Sequence, residues 1–354
     1  MSPSEGAIAA MGFDERIGQP VRVGLVGTGF VAKVRAAAFN ADDRAQVVAV
    51  SGHRVETAHT FAQTHTIPTV CPTWQDLVAH AAVDLVVVCN LNCDHGPVVH
   101  AALMAGKAVV VEYPLALCPD EAQRAIALAQ QQNLLLHVEH IELLGGLHQA
   151  MMAHLPQVGT PHYVRYATAV PQNPVPQKWT FCVEQFGFPL VAALSRVHRL
   201  TNLFGAVDEV FCQLQYDDRA AADFTGYFKQ CRCTAQLRFA NGVIAEVLYA
   251  KGEQTWRSQR WMEVEGDRGA LTFDREAGTL ITTAGEMPIE VGSRRGLFAQ
   301  DTASVLDTLL EGKPLYVTLA ESLYALQVAT AAATSAQTGR SVRVEAPYPK
   351  LVSR

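Results

Sequence analysis

Three short stretches of the chain combine residue types that have a chemical use. In VRVGLVGTGFVA, Val21 to Ala32, an apolar run ends in Gly27-x-Gly29-x-x-Ala32 and opens into a helical pattern. Gly27 allows a tight turn there, Gly29 lets the backbone approach a pyrophosphate, and the small Ala32 permits close helix–strand packing. Gly27, Thr28, Gly29, Phe30 and Val31 thus form a helix start whose free N–H groups suit phosphate oxygens. The second stretch, SGHR, ends the next strand. A site for NAD places an acidic side chain here to bond the ribose 2′-hydroxyl. None is present, and Ser51, His53 and Arg54 suit a 2′-phosphate instead, with Arg54 as its charge partner. The expected cofactor is NADPH, ahead of NADH. The third stretch is CNLNCDH, which follows the valine-rich run VDLVVV. Ligands of open α/β sheets gather outside the carboxyl ends of the strands. Asn90, Asn92 and His95 are therefore expected beside the nicotinamide ribose, although His95 equally suits a helix-start histidine bonded to nearby backbone.

A further strand end reads VVVEYPLAL. It places a phenol, Tyr113, between Glu112 and Pro114. Glu112 is expected to orient the strand end or the cofactor. HVEHIE supplies Glu139, His140 and Glu142 near the expected domain junction. Strand alternation sends Glu139 and His140 to opposite faces, so that one of them can line a cleft, while Glu139 equally suits a buried, paired structural carboxylate.

The elements that must hold these residues follow a regular order. From Val21 to about residue 141, short apolar strands alternate with helical patterns, and the near-continuous valine runs suit a parallel sheet covered on both faces. That is a doubly wound Rossmann domain. After residue 142 come successive strand patterns, with Asn241-Gly242 as a hairpin signal between two of them. They imply an α+β domain over residues 142–347 with a large, mostly antiparallel open sheet. One helix is expected over roughly Leu190 to Phe204, and two more around 298–311 and 319–337. The first 20 residues read as an extension.

Bulk composition narrows the function. The formal net charge of −6 argues against a nucleic-acid partner, which needs a basic surface. No apolar run reaches the ~18 residues of a membrane span, and the N-terminus lacks the features of a secretory signal. The eight cysteines show no CxxC or zinc-type spacing, so no metal is expected and they read as buried thiols of a cytoplasmic protein.

Taken together, the GxGxxA strand–helix start, the strand end at Glu112-Tyr113-Pro114 and the second open-sheet domain resemble the glucose–fructose oxidoreductase/inositol dehydrogenase family over residues 21–345. In its sugar dehydrogenases the tyrosine position holds a lysine that helps activate the hydroxyl being oxidised. A helix of the second domain carries Asp-x-x-x-His, the histidine being the acid/base. Aligned on its Gly-x-Pro-Leu start, GFPLVAALSRVHRLTNLFG has Ala192 and Arg196 at those two positions. The departures are similar to those of the family's biliverdin-reducing branch, in its cyanobacterial form. VEYPLAL, LLLHVEHIELLGGLHQA, QNPVPQKW and VGSRRGLFAQDT carry this likeness.

The resemblance implies NADPH-dependent reduction of biliverdin IXα to bilirubin, with hydride going to the C10 methine bridge and a proton to a pyrrole nitrogen. Arg196 is then the first candidate for the catalytic group, with Arg199 three residues on and on the same helix face. Arginine is a poor proton donor, so stabilisation of negative charge while water supplies the proton is preferred to direct donation. Tyr113 is expected to contact the pigment. Glu139, Arg199 and the basic turn Arg294-Arg295 are further substrate candidates, and His140 and His198 are reserve proton donors. Trp179, Phe186 and Phe188 can stack on pyrroles or fill the core. An NADP-dependent sugar or inositol dehydrogenase and a catalytically silent NADP sensor remain as alternatives. The oligomeric state is open.

Overall fold

In the computed structural model, residues 17–217, 226–274 and 277–345 are described; most of the expected N-terminal extension lies outside them. By internal contacts the chain forms two units. One runs through Ile141 and takes back Gly296–Leu319, and the other holds Glu142–Arg295 and the chain from Ala320.

The first unit is a six-stranded parallel sheet. Its strands are β1 (Val21–Val26), β2 (Ala45–Ser51), β3 (Thr69–Val70), β4 (Leu85–Val88), β5 (Ala108–Glu112) and β6 (Leu136–Glu139), in the order β3-β2-β1-β4-β5-β6. The order reverses between β1 and β4, whose ends carry Gly27 and Asn90. A crevice opens at such a switch point in doubly wound sheets. Helices α1 (Phe30–Asn40), α2 (Val55–His65), α3 (Trp74–Ala79), α4 (Asn92–Met104) and α5 (Pro119–Gln132) form the crossovers. All four residues of β4 are buried, as the apolar valine run requires for a central strand. Thr73 and Asp76 build a capping box at the start of α3, a short helix that the hydrophobic pattern did not reveal.

The second unit begins with α6 (Gly146–His154). Its nine-stranded sheet contains β7 (Pro161–Pro171), β8 (Val207–Tyr216), β9 (Gln230–Phe239), β10 (Ile244–Gly252), β11 (Gln259–Gly266), β12 (Gly269–Asp274), β13 (Ala277–Thr282), β14 (Gly285–Glu290) and β15 (Val342–Arg343). The order is β14-β13-β12-β11-β7-β10-β9-β8-β15, antiparallel except where β7 lies parallel to β10. Alternation along β9 is strict, with Cys231, Cys233, Ala235, Leu237 and Phe239 buried and the residues between them exposed. The sheet thus has one covered face and one open one. The short helix α7 (Val183–Phe186), then α8 (Pro189–Ala192) and α9 (Ser195–Phe204), lead from β7 to β8.

Two features differ from the sequence reading. The single helix expected over Leu190 to Phe204 is broken, because Ala193 takes a non-helical ψ of 40° and ends α8. Of the two later helices, α10 (Leu297–Glu311) packs in the first unit against α1, whereas α11 (Leu319–Thr338) serves the second. Among the described residues no helix is long and apolar enough to cross a membrane.

Candidate active site

The nucleotide end of the first unit is built by backbone. Gly27 has φ +121°, its N–H donates to the carbonyl of Ser51 at 2.8 Å, and a Cβ there would meet the carbonyl oxygen of Cys89 at 2.6 Å. Only glycine lets the ends of β1, β2 and β4 come this close. A Cβ on Gly29 would meet nothing, so the space over the loop is open. Helix α1 starts at Phe30 with no side-chain cap and no acidic residue in its first turn. Its positive end is therefore available to phosphate. Ala32 is fully buried, as close packing demands, and Phe30 is exposed.

At the end of β2, Ser51 is buried while His53 and Arg54 are exposed just before α2. At the end of β4, the side-chain oxygen of Asn90 is buried without a partner among the described residues. A buried amide in that state calls for a ligand hydroxyl or amide. Asn92 is buried in the first turn of α4, and His95 is held by a 2.8 Å contact from Nδ1 to the carbonyl of Pro114. Burial pushes the His95 imidazole down from its ordinary value. These features fit a dinucleotide, with Arg54 offering the positive charge that a 2′-phosphate needs.

Beneath the ends of β5 and β6 lies a buried charge network that no short motif announced. Arg35, on α1, is fully buried. It donates from Nε to Glu112 at 2.9 Å and from Nη1 to Asp301 on α10. Asp301 also contacts His137 Nε2 at 2.7 Å and accepts from the Tyr316 hydroxyl at 2.6 Å, and that hydroxyl in turn accepts the His140 N–H at 3.1 Å. Burial alone would push the Asp301 carboxyl up. Arg35, and after it His137 and Tyr316, reverse this and hold it well below the usual carboxylate range. Glu112 is thus engaged with Arg35 and anchors the strand end. Glu139, its neighbour across the β5–β6 ladder, is buried and accepts the Ile141 N–H at 2.6 Å. Tyr113 follows directly on Glu112 and stacks on the His140 ring. Its position is set by this network.

In the second unit, α9 and the covered face of the sheet form one wall. Arg196 and Arg199 sit three residues apart in the first turns of α9, while Val197, Leu200 and Phe204 fill the core. The Arg196 guanidinium lies over the Tyr249 ring at 5.8 Å and donates to Ser195 Oγ at 3.0 Å. The Arg199 guanidinium lies over Tyr166, also at 5.8 Å. It donates to the carbonyl of Glu142 at 3.4 Å, and its Nε and Nη1 are buried without partners among the described residues. Tyr166 and Tyr249 come from the neighbouring strands β7 and β10 and share a face, since Tyr166 pairs with Val247 and Thr168 with Tyr249. Burial, and then the Arg199 charge, push His148 down to about 4, so it adds no positive charge at neutral pH. His198 Nδ1 lies 3.5 Å from Glu142. Trp179 and Phe186 pack on each other with centroids 6.0 Å apart, and Phe188 is half-buried. Arg294 and Arg295 are exposed in the turn before α10.

Tyr166 and Tyr249 were not singled out in the sequence. Their signal was present in the alternation of YVRYATAV and AEVLYAK, but alternation marks a face without saying which helix lies on it.

Comparison with known proteins agrees with this architecture. Residues 21–140 match the model described as "Oxidoreductase family, NAD-binding Rossmann fold", and residues 156–344 match its "C-terminal alpha/beta domain". A crystal structure of biliverdin reductase in complex with biliverdin and NADP+ from Synechocystis sp. PCC 6803 is 48% identical, with a TM-score of 0.87, over 90% of this chain and 99% of that one. An NAD binding oxidoreductase from Klebsiella pneumoniae shares the fold, with a TM-score of 0.76 at 19% identity over 92% of this chain and 99% of that one. Among curated sequences, mouse biliverdin reductase A is 30% identical over 141 residues, which is 40% of this chain and 45% of that protein. The chain thus spans about half the length of the curated relatives it matches. With both family models matched in order across most of its length, this chain belongs to the GFO/IDH/MocA oxidoreductase family.

Proposed function

We propose that this protein reduces biliverdin IXα to bilirubin, with NADPH as the hydride donor. The observation that carries the reading is the wall of the second unit. Where a hydroxyl-oxidising relative is expected to hold Asp and His, this chain has Ala192 and Arg196, and Arg196 and Arg199 lie over the faces of Tyr249 and Tyr166. At those two positions the wall has no general base for a hydroxyl proton. It offers flat rings and fixed positive charge, which suit a conjugated, dianionic tetrapyrrole. The 48% identity to the Synechocystis enzyme over nearly its whole length supports the same substrate and cofactor.

NADPH, when bound, supplies hydride to the C10 methine bridge. The residues of the chain do the rest. Gly27 to Val31 hold the pyrophosphate, and Ser51, His53 and Arg54 hold the 2′-phosphate. Asn90, Asn92 and His95 position the nicotinamide ribose. Tyr113 contacts the pigment and is kept in place by His140. Arg196 stabilises the negative charge that appears on the pyrrole system when hydride arrives, and water delivers the proton to a pyrrole nitrogen. The guanidinium is a fixed charge and not the proton source, because arginine holds its proton throughout the working pH range. Arg199 binds the pigment beside it.

The test is direct. Protein, NADPH and green biliverdin are mixed, and the yellow colour of bilirubin is followed with NADPH consumption. One bilirubin per NADPH supports the reading. No colour change from pH 5 to 8, with NADPH still bound, makes the protein a silent sensor; sugar-dependent reduction of NADP+ makes it a dehydrogenase.

A further inference from the structure

Lys251 lies on β10 two residues after Tyr249, on the same covered face of the sheet, and is 7% exposed. Its ammonium is enclosed by four aromatic rings, with centroids at 3.9 Å for Phe186, 4.4 Å for Phe181, 5.2 Å for Phe228 and 5.9 Å for Tyr249. Nζ donates to the carbonyl of Thr180. Among the described residues no carboxylate pairs with it; Cys231 on β9 is the titratable group that its field reaches. A buried ammonium is ordinarily paired with an acid. Here the rings stabilise the charge through their faces without neutralising it.

The Tyr249 ring is shared. Arg196 lies 5.8 Å from its centre and Lys251 5.9 Å, so the two cations are no more than about 12 Å apart. Lysine bound to an acid would present a dipole, whose effect fades quickly with distance. An unneutralised charge in an apolar box keeps its reach, and among the described residues no carboxylate is paired with this one. A methionine of similar length would fill the same box without the desolvation cost that a charge brings.

We propose that Lys251 is a positioning cation of the wall: it holds a full positive charge behind Arg196 and so favours the negative charge that the pigment acquires on receiving hydride. The inference rests on the proposed activity. For a developing charge as far from Nζ as the Arg196 guanidinium, about 12 Å at most, and an effective dielectric of about 20, one unit charge alters the rate by about ten-fold.

The experiment compares wild type with Lys251→Met and Lys251→Arg, using biliverdin and its uncharged dimethyl ester as substrates. The methionine variant is expected to melt no lower than wild type at pH 7 and to bind NADPH equally well. Its kcat is expected to fall about ten-fold on both substrates with little change in KM, and the arginine variant to recover most of that loss. If Lys251→Met does not fold, Lys251→Gln takes its place in the same comparison. Turnover by the uncharged variant within two-fold of wild type overturns the inference. So does a loss confined to the diacid, which would place the effect on the propionates, or an arginine variant as slow as the methionine one. Wild-type protein that does not turn over biliverdin overturns the proposed function and this inference together.

Discussion

Tyr113 stacks on the imidazole of His140, the two planes 8° apart and their centroids 5.6 Å apart. The His140 N–H is itself fixed by the Tyr316 hydroxyl. The ring of Tyr113 is thereby held as a flat platform at the end of β5. If the platform is what matters, Tyr113→Phe keeps kcat within about three-fold, since the ring and its stacking survive. Tyr113→Ala loses an aromatic surface worth about 1–3 kcal/mol and raises KM for biliverdin roughly ten-fold or more. Steady-state bilirubin formation separates the two; a Phe variant as slow as the Ala variant would make the hydroxyl a participant.

Arg196 carries the charge expected to matter in the chemical step. Removing one preorganised donor to a developing anion typically costs about 10²–10³ in kcat. Arg196→Ala is expected to fall in that range, with NADPH affinity unchanged. Arg196→Lys is expected to retain part of the rate, as a point charge without the planar fork. Near-wild-type rates in both variants would remove Arg196 from the mechanism.

Arg54 tests the cofactor assignment. It is exposed at the start of α2, so its loss leaves the fold intact. A charge-assisted hydrogen bond to phosphate contributes about 1.5–3 kcal/mol. Arg54→Ala should therefore raise KM for NADPH roughly 10- to 100-fold and leave NADH kinetics unchanged. Equal effects on both coenzymes would place Arg54 away from the 2′-phosphate.

Asp301 tests the buried network through stability. Replacing it with alanine leaves the buried Arg35 guanidinium with Glu112 as its remaining carboxylate, and breaking one side of a buried pair costs about 3–5 kcal/mol. In the native protein the Asp301 carboxyl is held below its unfolded value. Its contribution is then complete above about pH 4 and is lost as pH falls through the lower folded value. Urea midpoints from pH 3 to 7 should show a shallower acid limb in Asp301→Asn than in wild type.

Lys251 gives the same sign of slope at the alkaline end, because its folded value is also depressed; here it is the charged form that burial penalises. Burial pushes its ammonium down to about 8. The unfolded chain binds this proton up to about pH 10.5, whereas the folded chain releases it near 8, so stability rises with pH across that window. The change amounts to about 3 kcal/mol at most. Wild type should gain stability relative to Lys251→Met between pH 8 and 10. A constant difference would mean that the lysine does not titrate there.

Much of the candidate nucleotide site can be read from the sequence because its demands are local. A glycine turn, a helix start and the side chains at two strand ends lie within a few residues of each other, and their chemistry does not depend on distant partners. The network under Tyr113 was not legible for the converse reason. Arg35 is a single charged residue in a short helix and reads as solvated surface. Only the docking of α10 brings Asp301, 266 positions away, to its guanidinium. Lys251 closes a strand pattern that could equally end in solvent. The four rings around its ammonium come from three separate stretches of the chain, which no periodicity connects. The break between α8 and α9 was hidden as well, since Ala193 is as good a helix former as any residue and only its tertiary setting moves it out of the helical region.

The return of α10 to the first unit bears on how this gene product can be cut and rejoined. A fragment ending at residue 141 would contain every motif of the nucleotide site and still lack Asp301 and Tyr316. It would expose the apolar side of α1 and leave Arg35 with Glu112 as its remaining anchor. The cofactor module is therefore not a cassette that can be grafted from its contiguous sequence. A chimaera made by swapping the second unit has to keep residues 296–319 with the recipient's amino-terminal part, as two junctions and not one.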